Sequence, residues 1–110
     1  MRVHLEKKQT IADYAALHAR SRSSFGIWLG VIRVADWSEL TDIKRTFSTA
    51  DLLGRSSSRV VFDIGGNNYR MICKYFFGER EAHLFVCWIG THAEYDERCG
   101  RNEQYTINKF

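Results

Sequence analysis

The sequence has no apolar run long enough to cross a bilayer. Its longest, Phe25 to Ile32 (FGIWLGVI), falls well short of the roughly 20 residues that a spanning helix needs. The stretch MRVHLEKKQT has no apolar centre of a secretory signal, and the three cysteines (Cys73, Cys87 and Cys99) are odd in number and lack CxxC spacing. A cytoplasmic protein with no disulfide framework and no membrane partner is therefore expected. A P-loop, a GxSxG elbow and a dinucleotide fingerprint are also missing. His4, His18, His83 and His92 are dispersed and no cysteine stands at a ligand spacing, so neither a metal site nor a cofactor is expected. Internal repeats, low-complexity tracts and linkers are absent too.

What is present fits one domain over residues 1–110. The length is close to the commonest domain size, and 45% hydrophobic with 26% charged residues is the composition of a chain that folds. A formal net charge of +3 permits an anionic partner without requiring one, so the placement of the charges must decide.

Periodicity divides the chain into a largely helical first half and a strand-rich second half. Arg2 to Glu6 (RVHLE) alternates as a strand with one buried side. Thr10 stands at an N-cap position, and Ile11, Tyr14, Ala15 and His18 repeat at helical spacing, which predicts a first helix to about Arg20. After the Ser21–Ser24 cluster, Phe25, Trp28, Leu29 and Ile32 form a second apolar stripe. Asp36 with Glu39 resembles a capping box, and Trp37, Leu40, Ile43 and Phe47 predict a third helix ending before Gly54. Then the period changes. Arg59 to Ile64, the Gly65-Gly66-Asn67 turn and Asn68 to Phe77 predict a hairpin, and Ala82 to Ile89 a further strand, central in an antiparallel meander. The expected class is α+β, with helices packed on a small antiparallel sheet and a short helical turn after the last strand. From about Cys99 the chain is polar until Ile107 and Phe110, and such an end is mobile unless docked.

Two groups of residues bear on chemistry. Alternation after the GGN turn puts Arg70, Ile72, Lys74 and Phe76 on one face, with Tyr69, Met71, Cys73, Tyr75 and Phe77 on the other, which reads as core. Arg70 and Lys74, roughly 13 Å apart, span about two phosphates of a single strand, and a base can stack on Phe76. The same pattern also fits solvated charges on an open sheet face. In WIGTHAEYD, Thr91 and Glu94 form a capping box, which leaves His92, Tyr95 and Asp96 as neighbours on one side of a helical turn. Taken singly, these are ordinary surface residues. Together with the paired cations they supply the base, the acid and the charge stabilisation that metal-free RNA cleavage needs.

RVVFDIGGNNYRMICKYFF and WIGTHAEYD together resemble the HigB family of toxins from type II toxin–antitoxin modules, within the RelE/ParE-like group. That resemblance implies a RelE-like fold and a ribosome-dependent endoribonuclease acting on translated mRNA, inhibiting translation and growth. It implies neutralisation by a helix-turn-helix antitoxin of the HigA kind, in a hetero-oligomer that binds operator DNA through the antitoxin. Carried over residue by residue, Arg70, Lys74, His92 and Tyr95 become catalytic candidates supported by Asp96 and Thr91, with Arg59, Phe76 and His83 as RNA contacts. Two positions depart from the family pattern: Asp63 stands where an asparagine is common, and Cys87 where a basic residue often precedes the aromatic. A non-enzymatic, ParE-like gyrase inhibitor shares the fold, and a nucleic-acid-binding regulatory domain would need only the basic face.

Overall fold

The computed structural model describes residues 1–110. In chain order it has strand β1 (Arg2–Glu6), helices α1 (Lys8–Leu17), α2 (Arg22–Val34) and α3 (Leu40–Thr46), strands β2 (Asp51–Leu52), β3 (Arg59–Ile64), β4 (Tyr69–Phe77) and β5 (Glu81–Thr91), and helix α4 (His92–Gly100). The strands make one sheet in the order β1-β5-β4-β3-β2, so this is an α+β fold. From β2 to β5 the pairing is antiparallel, as expected. The β1–β5 pair departs from that expectation: it is parallel, with Arg2 opposite Glu81 and Glu6 opposite Phe85. A parallel neighbour requires a long crossover, and α1 to α3 lie within it. No helix is long and apolar enough to cross a membrane.

The three helices cover one face of the sheet. Ile11 and Ala15 of α1, Phe25, Trp28 and Ile32 of α2, and Ile43 of α3 pack on Val60, Phe62, Ile64, Met71, Cys73, Leu84 and Val86. The other face carries a smaller cluster of Val61, Ile72, Cys87 and Trp88, beneath Leu53, Tyr95 and Ile107. A β-bulge makes both layers possible. Ile72 pairs with Trp88 but Cys73 pairs with Val86, leaving Cys87 as the extra residue of β5. Cys87 and Trp88 therefore both join the outer cluster, while Val86 and Ile89 stay in the core.

The helix boundaries shift from the sequence expectation for local reasons. Helix α1 starts two residues earlier than Thr10, behind Lys7 at φ 62, because the chain reverses tightly as it leaves β1. A short 3₁₀ turn at Ala19–Ser21 ends that segment, and α2 begins inside the serine cluster. The capping box of α3 is Glu39 with Asp42, whereas Asp36 binds the N-terminal amine. Trp37 lies outside the helix, buried, with its indole N–H donating to Thr46 Oγ1 at 2.9 Å.

The end of the chain is docked. After α4 and a 3₁₀ turn at Glu103–Tyr105, Ile107 enters the outer cluster and Lys109 N donates to Cys87 O at 2.8 Å. This strap crosses the outer face from β3 to β5, and Phe110 then packs against the main core.

Gly90 ties the outer layer to the strand. A Cβ there would lie 2.3 Å from Cη2 of the Trp88 indole. Gly90→Ala is expected to lose about 1–3 kcal/mol in denaturant unfolding, with a smaller loss when Trp88 is already leucine.

Candidate active site

Arg70 projects from β4 on the outer face, between Asp63 of β3 and Gly90 of β5. Its side chain is only 9% exposed, and burying a guanidinium demands partners. Nε lies 3.1 Å from Asp63 Oδ1, Nη2 donates to Asn67 Oδ1 at 2.7 Å, and Nη1 donates to the Tyr69 carbonyl at 2.9 Å. Nη1 and Nη2 thus each donate one hydrogen bond and keep one N–H without a protein acceptor, while Asp63 makes an ion pair at Nε.

Helix α4 begins beside this arginine. Thr91 Oγ1 accepts from Glu94 N at 3.2 Å, and Glu94 Oε1 accepts from Thr91 N at 2.8 Å, so the expected capping box forms. The hydrogen bond from the Thr91 backbone holds the Glu94 carboxyl below its ordinary value, against a small opposing effect of burial. His92 N donates to Asn68 O at 3.0 Å, which fastens the helix start to the turn whose Asn67 grips Arg70. The His92 ring is 41% exposed while its Nδ1 is buried without a hydrogen-bond partner. Nε2 therefore occupies the open edge. Asp96 Oδ1 stands 3.7 Å from Nδ1, close enough to orient an imidazolium.

Tyr95, one helical turn on from His92, lies over the outer cluster with its ring centroid 6.2 Å from that of Trp88. Burial pushes its phenol well above the ordinary 10.0; a hydrogen bond with Cys99 and the Cys99 and Asp51 charges act the same way, opposed by the Arg70 charge. Arg70 lies opposite Gly90 on β5, two residues before the start of the helix that carries this phenol. A phenol so placed keeps its proton at neutral pH.

The remaining sequence candidates divide. Lys74 is exposed on the same face, and neither of its pairing neighbours, Arg59 and Phe85, is acidic. Arg59 itself is turned inward: 7% exposed, it donates through Nη1 to the carbonyls of Ile107 at 2.6 Å and Gln104 at 3.3 Å. These bonds clasp the C-terminal strap to β3. Phe76 and His83 face each other at the far end of β4 and β5, about 20 Å along the strand from Arg70 and beyond the strap. Arg70, Thr91, His92, Tyr95 and Asp96 are thus brought together, Lys74 lies at the margin, and Phe76 and His83 stand apart. Sequence reading missed Asn67, which looked like a turn former, and the pairing of Asp63 with Arg70, which requires the register. No group of three or more His, Cys, Asp or Glu residues is placed to hold a metal ion.

A family model of HigB toxins, described as the RelE-like toxic component of a toxin–antitoxin system, matches residues 21–98. The mRNA interferase HigB of Escherichia coli O6:H1 is 33% identical over 85 residues, which are 77% of this chain and 73% of that protein.

The capping box yields a pH expectation. Since the folded state lowers the Glu94 carboxyl value, its stabilisation is present above the unfolded value of 4.5 and fades as pH falls below it. Glu94→Gln is expected to cost about 0.5–1 kcal/mol at pH 7 and to make the thermal midpoint less sensitive to acid below pH 4.5, as read by circular dichroism melts across pH.

Proposed function

The chain belongs to the HigB family of RelE-like toxins, and we propose that it is an endoribonuclease that cleaves mRNA on the ribosome and so arrests translation and growth. The observation that carries this reading is the juxtaposition of a fixed, partly unsatisfied guanidinium with an imidazole and a neutral phenol at one helix start. A non-enzymatic inhibitor needs no such set.

Cleavage of RNA without a metal proceeds by attack of a ribose 2′-hydroxyl on the adjacent phosphorus, with departure of the 5′-oxygen. His92 Nε2 takes the 2′-hydroxyl proton, and Asp96 steadies the resulting imidazolium. The two free N–H groups of Arg70 meet the oxygens of the phosphorane, where charge accumulates. Tyr95 keeps its proton and donates it, or a hydrogen bond, to the leaving oxygen; its raised pKa supports this direction over the reverse. Lys74 attracts the backbone from the margin of the site. Phe76, 61% exposed, and His83 can take bases of the same strand farther along the face. As the toxic component of its module, the chain is held in check by an antitoxin, which we take to be a helix-turn-helix protein of the HigA kind.

In single-turnover cleavage of ribosome-bound mRNA, His92→Ala is expected to lose about 10²- to 10⁴-fold and Arg70→Ala a comparable factor, with Tyr95→Phe losing at least tenfold. Mapping of mRNA 5′ ends after induction checks the same point in cells. Unchanged rates in His92→Ala and Tyr95→Phe would remove the assignment, and growth arrest by the wild type without new 5′ ends would point to a binding inhibitor.

A further inference from the structure

We infer that Asp63 is a positioning residue of the ribonuclease reaction, acting through Arg70; this rests on the endoribonuclease reading and adds to it the group that aims the arginine. A cation meant only to attract RNA works best when it is unpaired and exposed, as Lys74 is. Arg70 is neither. It lies opposite Asp63 in the register, and the two form an ion pair with Asp63 Oδ1 3.1 Å from Nε.

The consequences are geometric and electrostatic. With the Asp63 carboxylate paired at Nε, and Nη2 and Nη1 donating to Asn67 and the Tyr69 carbonyl, the plane of the guanidinium is fixed and the second N–H of each Nη has a set direction. Pairing also offsets much of the positive charge, so Arg70 adds little to ground-state attraction. It contributes mainly where negative charge grows on the phosphorane, as a donor already in place that needs no reorganisation. Removing Asp63 frees Nε, allows the plane to turn, and misdirects the donors. Asparagine at this position keeps an oxygen of the same reach beside Nε and therefore the aim.

The test compares Asp63→Ala and Asp63→Asn in single-turnover cleavage of ribosome-bound mRNA, together with the ¹⁵N resonance of the Arg70 Nε–H group. Asp63→Ala is expected to lower the saturating rate about 10²-fold with little change in half-saturating concentration, the pattern of a misplaced transition-state contact. Asp63→Asn is expected to keep most of that rate. The Arg70 Nε–H signal is expected to be protected in the wild type by burial beside Asp63, to exchange rapidly with water in Asp63→Ala and to stay protected in Asp63→Asn. Circular dichroism gives the folded fraction by which every rate is corrected. A saturating rate in Asp63→Ala equal to wild type after that correction overturns the proposal alone, as does an Nε–H signal that stays protected in both variants. An equal loss in both variants overturns it too, because a charge effect would then outweigh aim. Absence of cleavage by the wild-type chain removes the ribonuclease reading and this inference with it.

Discussion

The bulge in β5 is the constraint on which the two-layered structure depends. A strand in a five-stranded sheet with one open side would alternate strictly, and with Leu84 and Val86 on the core face Trp88 would then fall there too. Inserting Cys87 as an extra residue gives β5 two successive outward side chains, Cys87 and Trp88, and then restores the core face at Ile89. Trp88 spreads over Gly90, and that indole with Ile72 forms the floor on which Tyr95 rests. Without the bulge the outer face has too little apolar surface to hold α4, and His92 has no fixed place beside Arg70. The candidate site is thus a product of packing on the far side of the sheet from the main core.

The cations on this face have different duties, and their surroundings distinguish them. Arg70 is buried, paired and directed; Arg59 is buried and spent on two carbonyls; Lys74 is exposed with no acidic pairing neighbour. All three looked alike in the sequence, since alternation reports which side a residue faces and says nothing of what lies above it. Burial by a later segment decided each case.

That difference explains what was legible. The hairpin of β3 and β4 could be read because two glycines at φ +66 and +65 mark its turn and both strands keep the period of two. The capping box at Thr91 and Glu94 was visible because its signature lies within four residues. The parallel partnership of β1 with β5 was hidden, as it joins opposite ends of the chain and leaves no local mark. Strand β2, at two residues, is too short for periodicity to register. Of the candidate site, the residue types and their faces were apparent, while the grip of Asp63 and Asn67 on Arg70 and the inward turn of Arg59 needed the register and the docked strap.

The parallel strand also sets the order in which the molecule can assemble. Pairings along β3, β4 and β5 close short loops, so this meander, which carries Arg70 and leads directly into His92 and Tyr95, is cheap in chain entropy and can form early. Docking of β1 on β5 and closure of the strap by Arg59 bring together distant segments and belong to the slow part of folding. The candidate site residues therefore sit in the locally encoded half of the molecule, and the rest of the chain governs how long their arrangement lasts.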